Sequence, residues 1–305
     1  MPGQMRIQFI PRTIKCRWIA VLLIVGVLPG ACSRHDPASE ELYRAVDELY
    51  GTVLARTGRF QVIAEIDHSR LAAAEGEVMP PARVVIFSDP AINTPILQEE
   101  PLAGLDLPFR VLAYSEEGSP AVTFTNAEFL QHRHGLADGP ALQQYQKLLL
   151  ETVSSVPEKA MVNFDASPVG KGEGIVTLNS RYDFDQTIAR LKDAILEEDD
   201  TVWFGEIDYR KDAAMQGVDL PRLTLLLWGA PAPGAKAMRE FPRMGLDAFC
   251  QKTLVYQPPG EEVLIYYNEM PAFAKIHYGD TALPHRVISS RMLKMLEGAV
   301  EGENL

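Results

Sequence analysis

Residues from Glu65 to about Gly135 return, slightly altered, from Glu206 to about Gly279, and this return decides the fold. Glu65-Ile66-Asp67 reappears as Glu206-Ile207-Asp208, Ala72-Ala73 as Ala213-Ala214, Gly76 as Gly217, Pro90 as Pro231 and Pro101 as Pro242. Gly104-Leu105-Asp106 reappears as Gly245-Leu246-Asp247. One inserted residue follows, after which Tyr114, Gly118 and Asn126 meet Tyr256, Gly260 and Asn268. A repeat this long marks duplicated domains, because solenoid units are shorter.

The second copy is the clearer template. It predicts a strand near Ile175 to Asn179, a helix from Phe184 to Leu196, a strand ending at Asp208 and a short helix ending at Gly217. An apolar strand from Leu223 to Trp228, a helical turn from Gly234, a hairpin around Gln257-Pro258-Pro259-Gly260 and two helices complete it. The first copy repeats this order from Phe60, behind a helix over Ser39 to Arg56. It shows no strand matching Ile175 to Asn179. Either residues 160–164 supply that strand by permutation or the strand is missing. The expected organisation is a signal peptide over 1–31, a first module over 37–155, a linker over 156–173 and a second module over 174–300.

Arg6, Arg12, Lys15 and Arg17, the apolar run Trp18 to Leu28 and then Pro29-Gly30-Ala31-Cys32-Ser33 form the layout of an export signal. The apolar run is short of the roughly 20 residues that span a bilayer. The segment resembles a bacterial lipoprotein signal, which implies lipidation at Cys32, with Pro29 standing where such signals usually carry leucine. The expectation is a cell-envelope protein, lipid-anchored through Cys32 and facing the periplasm; ordinary cleavage near Ala31 would leave it soluble there. Removing the four basic residues takes the net charge from −12 to −16. With no clustered Lys and Arg to displace counterions, nucleic acid is not an expected partner.

Glu65-Ile66-Asp67-His68, Gly76, the run ending Phe87-Ser88-Asp89-Pro90, and Leu105-Asp106-Leu107-Pro108 together resemble the domain of unknown function 302 family. Copy two departs at Tyr209, which replaces the histidine, and at Asp247-Ala248-Phe249. The resemblance implies an α+β fold similar to one half of the TATA-box-binding protein: strand, helix, four strands, helix, with helices on one face of an antiparallel sheet. It brings no catalytic residues and, since fold does not carry function, no DNA binding.

Asp67 and His68 are the candidate catalytic pair, an acid and an imidazole at a strand end where a base or metal ligand would sit. The competing reading makes Asp67, and likewise Asp208, the N-cap of a short helix closed by glycine. Glu65 with Asp67, and His132 with His134, are lesser pairs, the latter spaced so that the two rings do not face one another. Phe87, Phe124, Trp203, Trp228, Tyr256 and Tyr266 are either core or the lining of an apolar ligand cavity. Cys250 sits in an apolar stretch and reads as a buried thiol. No phosphate loop, Cys-x-x-Cys or His-Glu-x-x-His is present, so neither cofactor nor metal is expected. The leading expectation is a non-enzymatic protein that binds a partner or an apolar small molecule, its modules paired as a pseudo-dimer. The competing one is a hydrolase or metal-dependent enzyme at Asp67 and His68.

Overall fold

A computed structural model describes residues 37–301; the signal-like segment and Cys32 lie outside them. In the first module the chain runs α1 (Pro37–Leu54), β1 (Gln61–Asp67), α2 (His68–Ala74), β2 (Ala82–Ser88), α3 (Pro90–Glu99), β3 (Phe109–Glu116), β4 (Ser119–Phe124), α4 (Ala127–His134) and α5 (Pro140–Val153). The second gives β5 (Ile175–Ser180), α6 (Phe184–Glu197), β6 (Val202–Asp208), α7 (Tyr209–Met215), β7 (Arg222–Gly229), α8 (Pro231–Met238), β8 (Gln251–Gln257), β9 (Val263–Asn268), α9 (Met270–Tyr278) and α10 (Leu283–Glu301). A 3-10 turn stands before β3 (Pro101–Leu105) and another before β8 (Pro242–Gly245).

Two antiparallel sheets result, ordered β1-β2-β3-β4 and β5-β9-β8-β7-β6. The fold is α+β in two tandem modules, and the likeness of the copies extends to detail. Both β1 and β6 shift register at the same point, between Val62 and Ala64 and between Trp203 and Gly205. Asp67 caps α2 by accepting from the Arg70 amide, as Asp208 caps α7 by accepting from the Lys211 amide. Leu107-Pro108 and its counterpart Phe249-Cys250 are both cis.

Met161 makes a single bridge to Val122, and the Val162 amide donates to the Val122 carbonyl at 2.9 Å. Residues 160–164 therefore reach the edge of β4, the place that β5 fills beside β9. They run parallel there, whereas β5 forms an antiparallel ladder from Ile175 to Ser180. One physical reason is Pro120. It lies two residues from Val122, so it faces the same free edge, and it has no N–H to donate.

Residues of β3 are buried on both sides, because each sheet has two covers. On one face Phe109 stacks on Tyr145 of α5 at 4.6 Å and on Phe87 at 5.2 Å, with Phe60 against Phe87 at 5.1 Å. On the other, alternate residues Arg110 and Leu112 point into the second module. Helices cover one face as expected, and the partner module covers the opposite one.

Asp67→Ala and Asp208→Ala should each cost about 1 kcal/mol in urea denaturation, the loss of an N-cap. Asp67→Ala should cost the more, because Asp67 also pairs with Arg70 and Arg83, whereas among the described residues Asp208 makes only its cap bond.

Candidate functional site

Strand β1 delivers Asp67 and His68 to the junction with α2, but it does not deliver them to one site. The Asp67 carboxylate accepts from the Arg70 amide at 2.9 Å and from Ser69 Oγ at 2.8 Å, and pairs with Arg70 and Arg83. His68 turns the other way, into the second module, where Nε2–H donates to the Gly245 carbonyl at 3.1 Å. A carbonyl only accepts, so Nε2 carries the proton. Burial lowers the His68 pKa to about 4, and the ring is neutral at physiological pH.

The counterpart contact runs in the reverse direction. Tyr209, standing where His68 stands in the first copy, donates its hydroxyl to the Gly104 carbonyl at 3.0 Å. Gly104 and Gly245 correspond, and both are places of close approach. A Cβ on Gly104 would lie 3.1 Å from the Tyr209 ring and 3.2 Å from Leu254; one on Gly245 would lie 3.1 Å from the His68 ring and 3.3 Å from Leu112. Each module thus lays its 3-10 turn on the sheet of the other, and glycine is what lets it lie close.

Directly after these turns come Asp106 and Asp247, and on the following strands the corresponding Arg110 and Lys252. Their pairs cross between modules. Arg110 Nη2 donates to Asp247 Oδ1 at 2.8 Å, and Lys252 Nζ to Asp106 Oδ1 at 2.9 Å. Each aspartate also holds a group from its own module: Arg133 and His134 bind Asp106 Oδ2, while His277 Nε2 donates to Asp247 Oδ2 at 3.2 Å. Thr125 Oγ donates to Asp247 Oδ1 at 2.9 Å, and Arg133 Nη2 reaches across to Asn268 Oδ1 at 2.8 Å. Asp106, Arg110, Arg133, Asp247 and Lys252 are each no more than 2% exposed.

Electrostatics at this depth are set by competition. Burial raises the Asp106 pKa, yet Arg133, Lys252 and His134 overcome it and hold the carboxyl well below its usual range. Burial likewise opposes Asp247, and Arg110 with His277 and Lys252 holds it down. Lys252 is pulled to about 8 by burial first and by the Arg110 charge second. Such a network adds little stability over an apolar core, but removing one member strands its partner in a medium that cannot solvate it. Its effect is to fix which surfaces meet and in what register.

The remaining candidates are dispersed. Glu65 accepts from Tyr50 at 2.9 Å, and His132 Nδ1 bonds the Ala166 carbonyl at 2.9 Å, facing away from His134 in the core. Phe87 belongs to the aromatic stack under α5, and Trp228 Nε1 donates to Thr253 at 3.1 Å. Phe124 and Tyr266 are buried, while Trp203 and Tyr256 are half-buried against the core. Burial pushes the Cys250 thiol up to about 12, which leaves no thiolate nucleophile; with His68 it lines a void of about 20 Å³. Among the described residues no group of three or more His, Cys, Asp and Glu could hold a metal. A wider concavity of about 780 Å³ opens between α4 and α5, lined by Asn126, Gln131, Leu142, Gln146, Lys147 and Leu150 among others. Sequence reasoning missed the charged core. The available signal was Gly-Leu-Asp kept in both copies with a basic residue at the same place beyond it.

Asp106→Asn should cost about 3–5 kcal/mol by strong destabilisation of the stranded cations, read as a lower urea midpoint. His68 gives a pH signature. Its folded pKa lies below its unfolded value of 6.5, so the unfolded chain binds the extra proton. Its contribution is complete above pH 6.5 and is lost as pH falls toward 4, on the order of 3 kcal/mol at about 1.4 kcal/mol per unit. His68→Tyr, which installs the residue of the second copy, should flatten that part of the stability profile; an unchanged profile would refute the assignment.

Comparison with known proteins sets this arrangement in a family. Two curated relatives, fluoride-specific ion channel FluC 1 of Brucella suis biovar 1 (strain 1330) and of Brucella abortus biovar 1 (strain 9-941), are each 36% identical over 84 residues, 27% of this chain. The chain spans about a third of the length of these relatives, 33% and 31%. The crystal structure of an uncharacterized conserved DUF302 protein from Bacillus stearothermophilus aligns at 17% identity and a TM-score of 0.36, covering 42% of this chain and 96% of that one. The family model described as "Domain of unknown function DUF302" matches residues 41–153 and again residues 176–301. The chain belongs to the DUF302 family and carries its domain twice.

Proposed function

We propose that this protein is a non-enzymatic, lipid-anchored component of the cell envelope that binds a protein partner or an apolar small molecule on its first module. The observation that carries this reading is the closure of the candidate catalytic position in both copies. His68 Nε2 and the Tyr209 hydroxyl each donate to a glycine carbonyl of the opposite module, and Asp67 caps a helix and pairs with arginines instead of meeting His68. A hydrolytic or metal-dependent centre there would need an opening to substrate, which a buried neutral imidazole in a packed contact does not offer.

Binding then falls to the surface away from the module contact, and the concavity between α4 and α5 is the ground for it. Leu150 is 51% exposed beside it, and Leu142 lies in its floor. Apolar side chains ringed by amides and charges suit a site that buries a hydrophobic group and orients it with polar contacts. Among the described residues no helix is long and apolar enough to cross a membrane, so attachment in this reading comes from Cys32. The occurrence of a similar segment in chains named as fluoride-specific ion channels supports a membrane channel as one class of protein partner.

Native mass spectrometry of the full chain purified from membranes of its own host, beside Leu150→Arg, tests the proposal. Expected are a lipid-modified chain beginning at Cys32 and a bound molecule or protein that Leu150→Arg releases at least tenfold more readily. An unlipidated chain would overturn the anchor, and binding untouched by Leu150→Arg would overturn the groove.

A further inference from the structure

We propose that the charged core between the modules holds one small monovalent anion, of halide size, against the guanidinium of Arg110. The site is separate from the α4–α5 concavity and does not depend on the function proposed for it.

Charge balance is the first argument. Three strong cations, Arg110, Arg133 and Lys252, meet two carboxylates, Asp106 and Asp247, at positions with at most 2% exposure. Burial lowers the His134 pKa, so that ring is neutral and adds no further cation. The cluster carries one positive charge more than it neutralises. Arg110 and Lys252 also crowd one oxygen: Asp106 Oδ1 lies 3.9 Å from Arg110 Nη2 and 2.9 Å from Lys252 Nζ. An uncompensated charge at such depth is costly unless a counterion accompanies it.

Hydrogen bonding is the second and independent argument. Arg110 engages only through Nη2, to Asp247 at 2.8 Å and Thr125 at 3.3 Å. Its Nε and Nη1 have no partner among the described residues, and neither does Asn268 Nδ2. Buried orphan donors of this kind call for an explanation, an ion or water among them. Water would have to place two O–H groups of its own. The carboxylates around it already accept three bonds each, Asp106 from Lys252, Arg133 and His134, and Asp247 from Arg110, Thr125 and His277, and His277 Nδ1 is buried there without a partner among the described residues. Gln251, whose Oε1 is also unpartnered, neighbours Lys252 on β8 and so faces the other side of the sheet. An anion answers both the orphan donors and the surplus charge, whereas a water molecule, carrying no charge, answers only the first. The residues around it are at most 2% exposed, which favours a small ligand over a large one.

The full chain crystallised in sodium bromide, with data collected at the bromine absorption edge, gives the direct test. An anomalous peak within about 3.5 Å of Arg110 Nε or Nη1, at ordinary hydrogen-bond reach for a large anion, is the expected result. In parallel, Tm is followed in sodium chloride, sodium fluoride and sodium gluconate at equal ionic strength, gluconate being too large to enter. Tm should rise with the logarithm of the small anion, as for any ligand that binds the folded state alone, and stay level in gluconate. Lys252→Met removes the surplus charge while Arg133 and His134 still hold Asp106, and it should weaken that rise at least tenfold in apparent affinity. Absence of the peak, or equal Tm in all three salts, overturns the proposal and leaves loss of the Lys252 proton as the means of balance. A peak at surface lysines with none at Arg110, an adventitious ion only, overturns it as well.

Discussion

Two aspartates placed just after the 3-10 turns, each reaching for a cation on the opposite sheet, are the constraint around which the rest is arranged. Asp106 binds Lys252 and Asp247 binds Arg110. To make those bonds the turns must lie flat on the facing sheets, which requires Gly104 and Gly245. Their carbonyls then become acceptors that Tyr209 and His68 satisfy. Leu254 and Leu112 pack on the same glycines, so the apolar and polar parts of the contact share one geometry. Both long helices of each module are left on the outer face of its sheet, where, in the first module, the aromatic stack around Phe109 and Tyr145 fills the core.

The symmetry is approximate in a way that shows how the copies have drifted. Histidine and tyrosine differ in size and chemistry, yet each offers one donor to one carbonyl. Arginine and lysine make the crossed bond alike, but the guanidinium carries further donors in a rigid fork, and those are the ones left over in the core. Arg133 of the first module and His277 of the second each brace the aspartate of their own side. The bonding scheme persisted while the residues that make it changed.

Much of the fold was legible because its signals are local. Asp67 and Asp208 ahead of alanine-rich helices, glycines behind them, and the turn Gln257-Pro258-Pro259-Gly260 between two apolar runs each act over a few residues, and the duplication let one copy be read through the other. What was not legible is non-local. His68 reads as a catalytic candidate beside Asp67 because adjacency in sequence suggests a shared site, whereas the strand-to-helix turn sends the two side chains apart. Arg110 and Asp247 are remote in the chain, and no periodicity links them. The role of residues 160–164 was equally hidden, since it depends on an edge whose donors Pro120 limits.

Joining the paired surfaces in one chain has a consequence for stoichiometry. Two free copies of such a module would associate only at concentrations above their dissociation constant, and a scarce protein would spend part of its time as halves with charges exposed. The segment between α5 and β5 replaces that concentration by a fixed effective one, set by the length of the tether. The assembled state is therefore independent of how many molecules the cell makes, and each half is guaranteed its unlike partner, which leaves either outer face free to evolve without disturbing the other.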